Sequence, residues 1–392
     1  MPWSETCPMN ERQRFIENWL CAEWNFSTLC QSYGISRKTG YKWLERFKAG
    51  GIDDLADQSR ACKRHPNATL APIEARIVAF RHHHPFWGPR KIKKRLGILH
   101  PDLSWPASST IGSILKQHGL ARPRRKRSRT PIYEGPLTKG MAPNEVWAAD
   151  FKGWFKTKDG ARIDPLTVTD LASRYLICCR AVAQTNGDNV RGQFTAVFQE
   201  FGMPRTLRTD NGPPFASVGL GGLSELAVWL IRLGITPERS RPAHPQDNGS
   251  HERMHRTLKQ ETANPPRSNP REQQKAFARF QAEFNDERPH ESIDMKTPAE
   301  IYAPSMRPFP RKLPELEYPT GTVTRLVSNN GTIKFKDKQI YASNALIGQS
   351  VRLEETDSRQ NIWYGPILLG ELDLKNEMIR RVPTKVLPMC PV

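Results

Sequence analysis

The chain has no run of about 20 apolar residues, the length a membrane span requires, and its first 30 residues lack the cationic start and apolar core of a secretory leader. Both absences predict a cytoplasmic protein with no membrane partner. Cysteine is sparse: Cys7, Cys21, Cys30, Cys62, Cys178, Cys179 and Cys390 form no C-x-x-C pair, and an odd, scattered set argues against a disulfide framework. The same lack weighs against zinc at His82-His83-His84, where adjacent side chains cannot easily share one ion. Acidic residues are the third shortage, since 59 Lys and Arg stand against 40 Asp and Glu, a net charge of +19. The excess is uneven: residues 1–133 hold 24 basic and 10 acidic side chains. A basic front predicts a polyanionic partner, which could be DNA, RNA or an acidic membrane surface. At 392 residues the chain is long for one core and allows two to four domains.

Helical patterns fill that front. Glu11 to Cys21 offers Phe15 and Leu20 as apolar points, Ser27 to Ser32 is a short helix, Tyr33-Gly34-Ile35 is a turn, and Ser36 caps a helix through Lys48. Helix, Gly-containing turn, helix is the layout of a helix-turn-helix, whose second helix offers its first residues to base edges in the major groove. Arg37, Lys38, Thr39, Tyr41 and Lys42 are the candidates for contact, and Trp43, Leu44 and Phe47 for the core. The alternative is a plain αα-hairpin packed on the rest of the protein. Further helices are expected at Ile73–His83, at Pro89–Leu96 with Arg90, Lys91, Lys93 and Lys94, and at Ser108–His118 with Ile111, Ile114 and Leu115 at helical spacing. Arg122 to Thr130 is a basic linker in which Arg124, Arg125, Lys126 and Arg127 would follow phosphates or merely be solvated.

Three carboxylates then stand out, each in a short motif: Asp150 in WAADFKG, Asp210 in RTDNGPPFAS and Glu252 in PQDNGSHERMHRTLK. Val146 to Phe155 reads as a strand with Asp150 near its middle, and Thr206 to Thr209 as a strand that stops at the turn-forming Asp210-Asn211-Gly212. Ser250 to Glu261 contains no Pro or Gly and follows Asn248-Gly249, so Glu252 falls in a first helical turn. Such a cluster repels itself unless cations neutralise it. Oxygen-only ligands suit Mg²⁺ or Mn²⁺ better than zinc, and two such ions can activate a water or a 3′-hydroxyl and stabilise the leaving oxygen of a phosphodiester. Taken singly, each acid is as readily a turn or surface residue.

In order, WAADFKG, PLTVTDLASRYL, TDNGPPFAS, PQDNGSHERMHRTLKQE and FNDERPHESIDMKTPAEIY resemble the successive signatures of integrase-core, D-D-E transposases of bacterial insertion sequences, relatives of retroviral integrases. The resemblance covers about residues 140 to 305. It implies an RNase H-like fold, Asp150, Asp210 and Glu252 as the catalytic metal-binding triad, and two Mg²⁺ or Mn²⁺ ions per site. The 41 residues between Asp210 and Glu252 exceed the family's usual spacing, which we assign to extra length around Val218–Gly222. Asp247 is a rival third ligand, and Asp170 and Asp188 are weaker rivals, Asp188 being a candidate helix N-cap. The resemblance also makes the second helical unit a helix-turn-helix that binds terminal inverted repeats. At 100° per residue, Arg256 lies about 40° and Lys259 about 20° from Glu252, and cations so placed contact the element's terminal nucleotides in related integrases. The other reading of both is a solvated basic stripe.

From Thr320 the pattern alternates, with Asn330-Gly331 as a hairpin signal, predicting a small SH3-like β-barrel. The expected architecture is therefore multidomain: all-α helix-turn-helix units at 1–60 and 61–121, a basic linker at 122–139, an α/β RNase H-like core at 140–305, and the barrel at 306–392. The expected function is a DNA transposase that binds its element's terminal inverted repeats, cleaves at the ends and joins the 3′-OH ends to target DNA. A homo-oligomer would form the synaptic complex, nucleoid-associated when bound to DNA. The alternatives are a transposase-derived DNA-binding regulator without catalysis, or a metal-dependent nuclease.

Overall fold

The computed structural model describes residues 7–57, 68–121, 137–151, 153–210, 212–215, 217, 222–240, 249–335, 338–356, 359–373 and 379–380. The chain divides into two compact units, Met1–Thr69 and Leu70–Val392. The first holds α1 (Pro8–Leu20), α2 (Phe26–Ser32) and α3 (Arg37–Gly50). Asn25 and Ser36 cap α2 and α3 by accepting from Ser27 N and Thr39 N, which satisfies amides that helix starts leave open. Phe15, Ile16, Leu29, Cys30, Leu44 and Leu55 make its core, with Trp43 and Phe47 packed against it. Leu20, expected to be an apolar point of this core, is instead 58% exposed, because it sits at the last turn of α1, past the helix crossing. Gly40 marks that crossing: a Cβ there would lie 2.6 Å from Cys30 Sγ.

The second unit opens with α4 (Ala71–His83), α5 (Pro89–Leu99) and α6 (Ser108–Gln117), packed around Ile77, Trp87, Ile92, Leu96, Ile111, Ile114 and Leu115. A mixed sheet follows, built from β1 (Val146–Phe151), β2 (Phe155–Lys156), β3 (Arg162–Asp170), β4 (Leu176–Val182), β5 (Thr206–Thr209) and β6 (Thr236–Arg239). Its order is β2-β3-β1-β5-β6, with β4 on the far side of β3. β1, β3 and β4 run antiparallel, whereas β5 and β6 lie parallel to β1. The parallel strands return through α7 (Gly187–Phe201) and α8 (Glu225–Arg232), and α9 (Gly249–Leu258) and α10 (Pro270–Ala282) follow. The strand expected to reach Phe155 ends at Phe151, before Gly153 at φ +86 turns the chain into β2. Asp188 does not cap α7. Asn186 does, accepting from Asn189 N.

Strand alternation sorts the residues to two faces. Trp147 and Ala149 pack with Phe194, Phe198 and Trp229 on the α7/α8 side. Cys179 packs with Met254, Leu258 and Phe277 on the α9/α10 side, opposite its neighbour Cys178. The C-terminal region is all β, with β7 (Val323–Leu326), β8 (Thr332–Phe335), β9 (Lys338–Tyr341), β10 (Ser350–Thr356), β11 (Arg359–Tyr364), β12 (Ile367–Asp373) and β13 (Ile379–Arg380). They form a five-stranded antiparallel sheet, β13-β12-β11-β10-β7, and the β8-β9 pair. Asn330-Gly331 does form a tight turn, with Ser328 N donating to Thr332 O at 2.8 Å, but the strands it joins pair elsewhere, β7 with β10 and β8 with β9. This region packs against Ala227, Val228 and Ile231, so α8 is buried on both sides.

β4 is an edge strand, and amide side chains from α10 and the turn after it take up its backbone groups. Gln274 accepts from Ala181 N and donates to Cys179 O, Gln281 donates to Leu176 O and Ile177 O, and Asn285 both accepts from Leu176 N (2.8 Å) and donates to Leu176 O (2.9 Å). Asn285→Leu keeps the volume but orphans the Leu176 N–H in a buried site, which costs about 2 kcal/mol. Chemical denaturation is expected to show that loss for Asn285→Leu, and an unchanged midpoint would remove the amide contacts from the account of the edge.

Candidate active site

β1 pairs with β5 in parallel from Val146 opposite Thr206 to Ala148 opposite Arg208. Asp150 stands two residues beyond Ala148 on β1, and Asp210 two residues beyond Arg208, past the end of β5. Asp150 lies opposite Thr167 on β3, its side chain 23% exposed. Asp210, just past β5, is exposed, and its Oδ1 accepts from Gly212 N at 3.2 Å. A Cβ at Gly212 would lie 3.1 Å from Asp210 Oδ2, so glycine leaves this carboxylate its room. Glu252 is exposed in the first turn of α9, while His251, Met254, His255 and Leu258 of that helix are buried.

The two histidines, one turn apart, meet the Thr167 hydroxyl. His251 Nε2 lies 2.8 Å and His255 Nε2 2.5 Å from Thr167 Oγ1, which is also 3.2 Å from the Asp150 carbonyl. His251 Nδ1 lies 2.7 Å from Thr169 Oγ1, and His255 Nδ1 lies 3.6 Å from Asp150 Oδ2. One hydroxyl proton cannot serve three acceptors, so at least one imidazole donates to Thr167 through Nε2. Burial pushes His251 down to about 3, which keeps its ring neutral. This network was not foreseen in the sequence, although the four-residue spacing in HERMH and the two-residue spacing of Thr167 and Thr169 are its signals.

HERMH also matches H-E-x-x-H, the helical zinc motif. Asp150, His251 and His255 bring donor atoms within 4.8 Å of one another. Both ring nitrogens of His251 are, however, committed to threonine hydroxyls, and the pair is nearly inaccessible, at 1% and 4% exposure. Asp210 and Glu252 are exposed and stand outside that cluster; with Asp150 they would offer oxygen donors, a chemistry suited to a hard divalent cation.

The other sequence candidates are distributed as follows. Asp170 is buried, and its carboxylate accepts from Asn144 N, Ser173 N and Ser173 Oγ; burial raises its pKa in spite of them, and its role is to fold the turn after β3. Arg37, Lys38, Tyr41 and Lys42 are exposed along α3, Tyr41 stacking on Phe26, whereas Thr39 bonds to Ser36. Lys93 and Lys94 are exposed on α5, Arg90 lies 3.5 Å from Glu291, and Lys91 turns inward. Arg256 is exposed on α9, and Lys259 begins a π-helical turn, Lys259–Ala263, where the regular 100° step no longer applies. Arg124, Arg125, Lys126, Arg127, Asp247 and all but Gly222 of the insertion expected around Val218–Gly222 lie outside the described residues.

Models of the integrase core domain match residues 140–245 and 233–298, and homeodomain-like models match 11–56 and 39–115. A 31.7 kDa protein of insertion element IS407 from Burkholderia multivorans is 27% identical over 61% of this chain and 82% of its own length. A 39.2 kDa protein of IS476 from Xanthomonas euvesicatoria is 26% identical over 64% and 70%. The chain is an integrase-superfamily transposase of an insertion sequence. The transposase is also similar to a Pol polyprotein of feline endogenous virus ECE1, at 29% identity over 57% of this chain and 21% of the polyprotein. Among solved structures, the magnesium-bound catalytic core of HTLV-2 integrase covers 42% of the transposase and all of itself at 18% identity, TM-score 0.32. A chain from the structure of the simian T-cell lymphotropic virus intasome with PP2A regulatory subunit B56 gamma is matched over 81% of the transposase and all of itself at 16% identity, TM-score 0.38. No described helix of the transposase is long and apolar enough to cross a membrane.

The shared hydroxyl gives a direct test of the network. Thr167→Val keeps the side chain's shape but strips two buried imidazoles of a partner, and is expected to cost about 3 kcal/mol. Thr167→Ser retains the hydroxyl and should lose less than half of that. Equal losses in urea denaturation would mean that packing, not the hydrogen bonds, holds α9 to the sheet.

Proposed function

We propose that the transposase cleaves phosphodiester bonds at the ends of its element and joins the freed 3′-OH ends to target DNA, with Asp150, Asp210 and Glu252 as the ligands of two Mg²⁺ or Mn²⁺ ions. The single observation that supports this reading is the parallel β1/β5 pairing, beyond whose last pair, Ala148 with Arg208, each chain runs two residues on to Asp150 and Asp210. Bound ions would supply the activation of the attacking hydroxyl and the neutralisation of the leaving oxygen. The chain's own contribution is positional: strands set two carboxylates, α9 sets the third, and the buried histidines hold α9 to β3. The donor chemistry supports hard cations.

Recognition of terminal inverted repeats belongs, in this reading, to helix-turn-helix units at 1–60 and 61–121, joined by the basic linker 122–139 to a core at 140–305 and the all-β region at 306–392. Arg37, Lys38, Tyr41 and Lys42 would meet the major groove, supported by their exposure on one helix of a unit with its own core. Two element ends must be held together for joining, which calls for a homo-oligomer on DNA.

Chemistry and binding should separate under mutation. Asp150→Asn, Asp210→Asn and Glu252→Gln are each expected to reduce metal-dependent cleavage by about 10³-fold or more while binding to element-end DNA stays near wild type. Cleavage retained by Glu252→Gln and lost in Asp247→Asn would transfer the third position to Asp247. Binding itself should fall steeply with salt. Lys38→Ala and Lys42→Ala are each expected to reduce the log–log salt slope by about 0.9 if the side chain neutralises one phosphate; fluorescence titration over a salt series measures it, and unchanged slopes would take α3 off the DNA.

A further inference from the structure

A second charged feature lies apart from the carboxylates. A cavity of about 390 Å³ opens between α5, the turn after β3, the outer side of α9 and the segment 284–292. Lys91, Arg174, Arg253, Arg256 and Arg288 line it, and no described carboxylate forms an ion pair with Lys91, Arg174, Arg253 or Arg256. Two acids share the lining. Asp170 is engaged by Ser173 and Asn144, and Glu291 lies 3.5 Å from Arg90. Arg288 alone is neutralised, by Glu261 at 3.0 Å.

Several features show that this concentration of charge is built in. Arg174 occupies the left-handed region at φ +68, a conformation costly for a side chain of its size, in a turn that sends its guanidinium to the cavity with Nε buried and unbonded. His290 Nε2 is likewise buried without a partner. Burial first, and then Arg288, push Lys91 down to about 7, with partial relief from Glu291 and Glu261. Burial and the neighbouring cations Lys91 and Arg288 push His290 down to about 3. An arginine Nε without an acceptor and cations that no described carboxylate pairs, gathered around a space large enough for a phosphate, specify an anion with several acceptor oxygens.

We propose that this cavity holds a backbone phosphate of the DNA strand whose end lies at the carboxylates. The proposal rests on the DNA-processing reading given above and adds to it a place for the strand to be gripped. Arg256 and Glu252 share α9, and the helix is only ~10 Å across. A strand leaving the carboxylates therefore reaches the cavity within a few nucleotides. A grip there fixes the scissile bond by orientation, and it couples α5, which contributes Lys91, to the catalytic core.

The test uses the full chain without divalent metal, so that DNA is bound and not cut, and reads acetylation of Lys91 by mass spectrometry. Lys91 lines the open cavity, so its labelling reports what occupies that space. A short DNA duplex at ~10 times its dissociation constant is expected to slow Lys91 labelling about tenfold. Arg174→Gln and the surface substitution Arg253→Gln should each remove most of that protection with melting temperature unchanged; Arg253, being exposed, keeps the test sound if Arg174→Gln misfolds. Unaltered Lys91 labelling on protein that a gel shift shows to be DNA-bound would overturn the proposal. Protection by millimolar inorganic phosphate but not by duplex would also overturn it, reassigning the cavity to a free anion. Because no metal is present, failure of metal-dependent cleavage in a separate assay would count against the carboxylate reading and leave this result standing.

Discussion

β1 pairs antiparallel with β3 and parallel with β5, and the candidate site follows from that double register. On one side it sets Asp150 opposite Thr167, and with it the hydroxyl that both histidines of α9 share. On the other it pairs Ala148 with Arg208, two residues short of Asp150 and Asp210. A slip of one residue in either ladder would turn Asp150 toward Phe194 and Trp229 in the opposite core, where an unpaired carboxylate is costly. The hydrophobic alternation of VWAADF thus does more than bury Trp147 and Ala149. It determines which face of the sheet carries acid.

Charge is arranged on the same plan. The acids of the candidate site face outward at strand ends and on the exposed side of α9, whereas Asp170, twenty residues beyond Asp150, is drawn inside and occupied by a turn. Cations collect one helix face away. The α4–α6 unit joins this arrangement through pairs of its own: His84 with Glu283 at 2.9 Å, Arg95 with Glu287 at 3.1 Å and Arg90 with Glu291 at 3.5 Å. A row of acids on one segment thus receives basic residues of α4 and α5 that composition alone would assign to DNA. Exposed pairs of this kind add little stability; their effect is to set which face of α5 remains free, the one bearing Lys93 and Lys94.

Much of this was legible in the sequence because it is local. Strand, turn and helix around Asp210 and Glu252 follow from Thr206–Thr209, Asp-Asn-Gly and a Pro- and Gly-free run, and Ser36 caps its helix as its chemistry requires. The integrase-core motifs supplied the family. What escaped was set by partners distant in the chain. The partners of Thr167 are two histidines from a helix more than eighty residues later, and Lys91 looks like its neighbours until burial and the nearby Arg288 set it apart. Asn330-Gly331 carries a strong hairpin signal, yet β7 finds β10, because pairing between strands is decided by the whole sheet and not by the turn. Asp188 lost its cap role to Asn186 by two residues, the ordinary uncertainty of a helix start where several residues can cap.

The amide contacts along β4 bear on the protein before it meets any DNA. An edge strand with open backbone groups invites a second chain to add itself to the sheet, and newly made chains of one gene emerge close together. Gln274, Gln281 and Asn285 occupy those groups from within the same chain, so that edge is closed to strand addition once α10 has docked. Association between copies must then use surfaces other than this edge.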